Sequence, residues 1–230
     1  MGRPREVARA ESPRGELVLR RRYDGKREVL ELRANGVFVM DTAETSSERA
    51  LADRALAATG RPHHVLVGGL GLGFTLAAVL TDPRVQRCTV VEIEPALVDW
   101  LRDGTVPHGP ALLADPRVEL LVDDVAAVLG AAERPTYDLV LLDIDNGPGY
   151  LVHDANAAVY EAGFLADLRH TIRPGGAVVV WSAAREPGLL GHLSAAYDTA
   201  EELDQPVTLQ GRDEHYWLYV GHRGLDGIAE

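Results

Sequence analysis

From residue 63 onward the chain alternates two patterns. Short, nearly unbroken apolar runs (HVLVGG, CTVVEIE, RVELLV, YDLVLLD and AVVVWS) are each followed by a helix-forming stretch, over residues 74–80, 96–102, 125–132, 157–172 and 189–197. A strand apolar on both faces must be covered on both, as parallel strands between two helix layers are. Five such strand–helix units in succession predict an α/β, Rossmann-like fold with a doubly wound, mostly parallel sheet. After Pro206 the runs VTLQ and HYWLYVG predict a closing antiparallel pair.

The first part of the chain reads differently. Residues 16–23, 28–34 and 37–41 are short β-prone runs separated by a DGK turn and an Asn35-Gly36 turn, which predicts a small antiparallel sheet. Residues 45–58 have helix-forming composition and stop at Gly60 and Pro62. Residues 1–15 have no hydrophobic period and are expected to be a flexible tail. The expected organisation is therefore a tail over 1–15, a small β-sheet with a linking helix over 16–58, and a Rossmann-like domain over 59–230.

Composition narrows the function classes. A hydrophobic share of 46% and a charged share of 25% over 230 residues are those of a globular protein able to bury a core. No apolar run approaches the roughly 20 residues of a membrane span, and MGRPREVARAESPRGE lacks the apolar segment of a secretory signal. A cytoplasmic protein with no membrane partner is expected. Cys88 is the only cysteine, which excludes an intramolecular disulfide and a thiolate metal cluster. A net charge of −12 argues against nucleic acid as a partner. Residues 1–33 carry ten basic and six acidic side chains, so the rest of the chain is more acidic still. An acidic body attracts cationic small molecules such as amines, although it serves solubility equally well.

The candidate chemistry sits at the ends of the expected strands. The first βα turn contains Gly68, Gly69, Leu70, Gly71 and Gly73, where glycines permit a tight turn and close approach of a ligand to the backbone. Its G-x-G-x-G register differs from the G-x-G-x-x-G dinucleotide fingerprint and favours an S-adenosyl ligand over NAD. Glu92 ends the second strand, where a carboxylate can accept from both ribose hydroxyls; Ile93 follows it. Asp123 and Asp124 end the third strand, before Val125. One of them can accept from the adenine amine, and either can cap the following helix. Asp143 ends the fourth strand, placed to orient a nucleophile or take its proton. The Gly/Pro-containing loop after it offers Asp145, Asn146, Tyr150 and His153 as substrate contacts.

Together these residues resemble the polyamine aminopropyltransferases, spermidine synthase and its relatives, within the class I S-adenosylmethionine-dependent superfamily. The shared elements over about residues 37–182 are the GG-x-x-x-G loop, VVEIE, DPRVE with its downstream aspartate, YDLVLLD, the following G-P, and RPGG before the fifth strand. The resemblance implies cofactor binding by the glycine loop, ribose binding by Glu92, adenine recognition by Asp124 and a catalytic base at Asp143. It also implies that the small N-terminal sheet mediates a homodimer. Three departures stand out. Gly71 occupies the position of an aspartate that helps hold the aminopropyl amine, Asn146 replaces a second acid beyond the catalytic aspartate, and the family's glutamine and tyrosine have no clear match in MDTAETSSERALADRAL.

On these departures the main expectation is methyl transfer from S-adenosylmethionine to a small-molecule acceptor, an amine among the candidates. The alternative is aminopropyl transfer from decarboxylated S-adenosylmethionine, and a further alternative is a non-catalytic nucleoside-binding homologue. A metal-dependent catechol-type reading needs an Asp-Asn pair where Trp181-Ser182 stands, so no metal is expected.

Overall fold

The computed structural model describes residues 4–133, 135–144, 146–148, 151, 153–209 and 211–225. Hydrogen bonding along the N-terminal segment closes a four-stranded antiparallel sheet in the order β1 (Arg5–Ser12), β2 (Gly15–Asp24), β3 (Arg27–Ala34) and β4 (Val37–Asp41). Asn35 and Gly36 turn between β3 and β4 at φ of 51° and 78°. The expected tail over residues 1–15 is corrected here, because Arg5–Ser12 is a full strand that registers Arg9 with Val18 and Ala10 with Leu17. Its backbone pairs along β2, and the small side chains of Val7, Ala8 and Ala10 pack on the core. Ladder pairing leaves no hydrophobic period to read in so polar a strand.

Helix α1 (Ser46–Ala57) links this sheet to the second layer, and its inward face is Glu48, Leu51, Ala52 and Ala55 at helical spacing. A seven-stranded sheet follows, from β5 (His64–Gly68), β6 (Arg87–Glu92), β7 (Val118–Val122), β8 (Tyr137–Leu142), β9 (Ile172–Ser182), β10 (Thr199–Leu209) and β11 (Arg212–His222). Its order is β10-β11-β9-β8-β5-β6-β7, with β5 to β9 parallel and β11 antiparallel to β9. The central strands are buried on both faces, with Val65–Val67, Leu139–Leu142 and Val178–Val180 fully inaccessible. The closing pair is longer than the sequence suggests, because β10 and β11 pair continuously from Thr199↔His222 to Leu209↔Arg212.

Helix α2 (Phe74–Val79) follows β5, α3 (Pro95–Arg102) and α4 (Gly109–Leu113) follow β6, and α5 (Val125–Ala131), α6 (Ala162–Thr171) and α7 (Pro187–Ala196) follow β7, β8 and β9. Two apolar clusters fill the layers: α1, α2 and α3 supply one with Trp181 and Leu218, and α5, α6 and α7 supply the other with Tyr219. From β5 the chain winds outward through β6 and β7, and from β8 it winds the other way. The carboxyl ends of β5 and β8 therefore flank the switch point, where a doubly wound sheet opens a crevice. Among the described residues no helix is long and apolar enough to cross a membrane.

Candidate active site

A cavity of about 510 Å³ opens at that crevice. Gly69, Gly71, Glu92, Asp123, Asp124 and Asp143 all line it, so the ends of β5, β6, β7 and β8 meet in one place. Ile93 and Val125 add apolar wall, and Leu17, Leu32 and Val39 of the small sheet close the opposite side.

Glycine is required at Gly69. The residue takes φ of 93°, and a Cβ there would run into the Asp143 carbonyl oxygen. The close approach is fixed by β5–β8 pairing, in which Asp143 N–H donates to the Gly68 carbonyl at 2.8 Å. Gly71 also lines the cavity, while other loop residues serve the loop itself. Leu70 is buried in the core, and Gly73 (φ 87°) starts α2.

Glu92 is 5% exposed and holds the loop from below. Its Oε2 accepts from Leu70 N–H and its Oε1 from Glu94 N–H, each at 2.8 Å. Burial raises its carboxyl above the ordinary range, against the pull of those backbone donors. A carboxylate offers about four lone-pair positions, so capacity for hydroxyl donors remains. Asp124 caps α5, accepting from Ala126 N–H at 2.8 Å, and Asp123 accepts from Asp124 N–H at 2.7 Å. The cap thus falls to the residue that the family resemblance assigns to adenine, and both aspartates stay exposed at the cavity rim.

Asp143 is the inner carboxylate. The Thr75 hydroxyl, in the first turn of α2, donates to its Oδ2 at 2.6 Å. Burial pushes the Asp143 carboxyl up to about 6, and the Thr75 bond opposes that rise. Beyond it, His153 and Asn156 line the cavity, with Asn156 N–H donating to the His153 carbonyl at 2.9 Å. The predicted contact Asn146 is not among the described residues that wall this cavity, and its backbone carbonyl accepts from Ala183 N–H at 3.1 Å. That bond, with Gly147 packed against Ser182, ties the segment to the end of β9. Asp145 and Tyr150 lie outside the described residues.

Five residues escape the sequence reading. Arg14, in the turn between β1 and β2, lines the cavity; its Nη2 donates to the Ile93 carbonyl at 2.9 Å and its Nε lies 3.4 Å from Glu94. Ser12 Oγ donates to the same Glu94 oxygen at 3.1 Å. Met40 of β4 sets its sulfur 3.2 Å from Leu72 N–H and against Gly71. Thr75 and Glu48 complete the set. Glu48 is 7% exposed, accepts from Ser47 Oγ at 2.7 Å, and is pushed up to about 7 by burial and then by the Asp143 charge. A glutamate in register with Leu51, Ala52 and Ala55 is the signal for it in the sequence, because an acid on an apolar helix face needs a reason to be there.

The crevice, its strand-end carboxylates and the sheet order define a Rossmann-like, methyltransferase-type fold. The spermine/spermidine synthase domain model matches residues 16–191, and the chain belongs to that family. It is 33% identical over 155 residues to polyamine aminopropyltransferase 2 of Pseudomonas aeruginosa, covering 63% of this chain and 42% of that protein. It is 34% identical over 119 residues to putrescine N-methyltransferase 3 of Nicotiana tabacum, covering 51% of this chain and 29% of the relative. The chain thus spans less than half the length of these curated relatives. In fold it is similar to a spermidine synthase solved with the transition-state analogue AdoDATO, at a TM-score of 0.80 and 15% identity over 97% of this chain and 75% of the other. The spermidine synthase of Thermotoga maritima matches at a TM-score of 0.79 with the same identity and coverage.

Proposed function

We propose that this chain transfers an alkyl group from an adenosyl sulfonium to a small amine, with aminopropyl transfer from decarboxylated S-adenosylmethionine as the leading reading. The observation that carries it is the joint position of Glu92 and Asp143 on one cavity, one carboxylate at each side of the glycine loop. The residues fit an adenosyl group. Glu92 has acceptor capacity for ribose hydroxyls, Ile93 and Val125 offer apolar wall, and Asp123 and Asp124 stand at the rim for the adenine amine. The cofactor supplies an activated sulfonium carbon. The acceptor nitrogen forms a bond to that carbon as the carbon–sulfur bond breaks, and the bonding pair stays on sulfur in a neutral thioether. Asp143, with its carboxyl near 6, is ionised at neutral pH and takes the proton released by the acceptor nitrogen. Thr75 holds that carboxylate in orientation.

Aminopropyl transfer leads because the family model, the P. aeruginosa relative and the similar solved structures all carry aminopropyltransferase or spermidine synthase names. Methyl transfer, the main expectation from sequence, becomes the second reading. It is favoured by one observation: Gly71 faces Met40, whose sulfur would lie 2.7 Å from a Cβ, so an acid at that position would have to displace the Met40 side chain.

Calorimetric titration of decarboxylated against intact S-adenosylmethionine, with product analysis on putrescine, tests both readings. Tighter binding of the decarboxylated form and formation of methylthioadenosine support aminopropyl transfer. Preference for the intact form with N-methyl product supports the second reading. Binding of neither removes the transferase assignment.

A further inference from the structure

The edge of the large sheet opposite the crevice carries a second cavity, of about 760 Å³, which the chemistry described so far does not use. His64 opens β5, Arg87 opens β6, and Asp138 and Arg173 stand one residue inside β8 and β9. Parallel pairing sets these strand starts side by side, with His64 in register with Arg87 and Tyr137 with Ile172. All four line the cavity, joined by Arg61 and His63 from the segment that leads into β5. Strand β5 is five residues long, so roughly 15 Å of sheet separates this basin from the glycine loop.

Its wall is cationic in a chain whose net charge is −12. Arg61, Arg87 and Arg173 face Asp138, the one acid among the described residues of the wall. Asp138 is occupied from within: its Oδ2 accepts from His64 N–H at 2.7 Å and from Arg173 Nη1 at 3.2 Å, and its side chain is 13% exposed. The Arg173 side chain, by contrast, is 42% exposed. Arg87 pairs with Glu119 at 2.5 Å yet stays 57% exposed, and Glu119 is not part of the wall. Arg61 is exposed, and among the described residues its side chain makes no hydrogen bond or ion pair. His64 records the resulting field. Burial, then the charges of Arg87 and Arg173, hold its imidazole below the ordinary range, against the opposing pull of Asp138.

We propose that this basin is an anion-binding site, separate from the crevice, for the polyphosphate group of a small molecule. Guanidinium groups are planar forks of N–H donors that match phosphate oxygens. One exposed ion pair is worth little, so an anion of single charge gains little from any one of these arginines. An anion of several charges engages Arg61, Arg87 and Arg173 at once, and a basin of about 760 Å³ has room for it. Thr59 and Gln86 add neutral hydrogen-bonding groups to the same wall. A long polyanion such as nucleic acid fits less well, because it would run on from the basin over an acidic surface that repels it. The inference is independent of the transferase reading, since the two cavities share no residue.

The test is calorimetric titration of tripolyphosphate into the full chain at neutral pH and low salt, where exposed charges are least screened. Wild type should take up one tripolyphosphate per chain, and added methylthioadenosine should leave that uptake unchanged. Arg61→Gln removes a side chain with no partner to lose, so the variant should melt as wild type does and bind about threefold more weakly. Arg61→Gln combined with Arg87→Gln should weaken binding at least about tenfold. The control removes the same charge elsewhere, as Arg102→Gln with Arg185→Gln, two side chains that are each 62% exposed and lie outside the basin. Its affinity should stay within about twofold of wild type. No saturable uptake by wild type, equal affinities in the two double variants, or displacement by methylthioadenosine would each overturn the inference. Tighter binding of a short single-stranded DNA than of tripolyphosphate would assign the face to nucleic acid and overturn it as well.

Discussion

The Thr75 hydroxyl donates a 2.6 Å hydrogen bond to Asp143 Oδ2, tying the first turn of α2 to the end of β8 across the switch point of the sheet. Thr75 is 2% exposed, so the bond is sheltered from water. Among the described residues it is the interaction that holds the Asp143 carboxyl down against burial. Thr75→Val keeps the shape and removes the donor. The carboxyl should then rise above 6, and the acidic limb of the kcat/KM profile should move to higher pH. A limb that stays in place would show that another group sets it.

Asp143 itself gives two expectations of different kind. Asp143→Asn removes the proton acceptor, and turnover should fall at least about a hundredfold. Methylthioadenosine affinity should stay within a fewfold. Stability should move the other way. The folded carboxyl near 6 lies above its ordinary 3.8, so the native state binds more protons than the unfolded chain between those values. The contribution is fully present below 3.8 and is lost as pH rises through 6. At pH 8 the Asn variant should therefore melt higher than wild type, by about 3–6 °C, and at pH 4 the difference should vanish. A lower melting temperature at pH 8 would mean that the ionised carboxylate is stabilised by a partner not yet recognised.

Much of this site is legible in the sequence, and the reason is positional. Gly69, Glu92, Asp124 and Asp143 each end an apolar run, and a parallel sheet sends all its strand ends to one edge. The residues that escape share another property. Arg14 reaches the crevice, and Met40 the glycine loop, only because the N-terminal sheet docks there, and no local pattern records a docking. Strand β1 escapes for a related reason: its alternation of arginine, glutamate and alanine carries little hydrophobic signal, and its order comes from pairing with β2. A strand-end loop can turn toward either neighbour, and the backbone bond of Asn146 to Ala183 ties its segment to the end of β9, which no local pattern records.

Arg14 spans the cavity mouth from the β1–β2 turn to the Ile93 carbonyl and Glu94. Its side chain is 30% exposed, so its ion pair is only partly sheltered and its loss should cost about 1 kcal/mol. Arg14→Ala should raise the Kd for methylthioadenosine about fivefold, mainly through faster dissociation. Stopped-flow displacement measures that rate directly. An unchanged dissociation rate would mean that the turn covers the cavity without retaining its contents.

The choice between group transfers can be forced at Gly71. The residue takes φ of 50°, a region that aspartate visits more readily than most residues. The obstacle is therefore Met40, whose sulfur would lie 2.7 Å from the new Cβ. Gly71→Asp alone should destabilise the loop and weaken every adenosyl ligand. Adding Met40→Ala clears the space, so the double variant should regain affinity beyond the sum of the single changes, as contacting residues do. If the family resemblance holds at this position, the introduced carboxylate would face the end of the cofactor that carries an amine in both forms and a carboxylate only in the intact one. Relative to wild type, the double variant should gain preference for decarboxylated over intact S-adenosylmethionine by about tenfold. Calorimetric titration of the four proteins with both cofactors gives the complete cycle. A double variant with unchanged preference would place the sulfonium's amino end away from Gly71 and would leave Met40 as a packing residue alone.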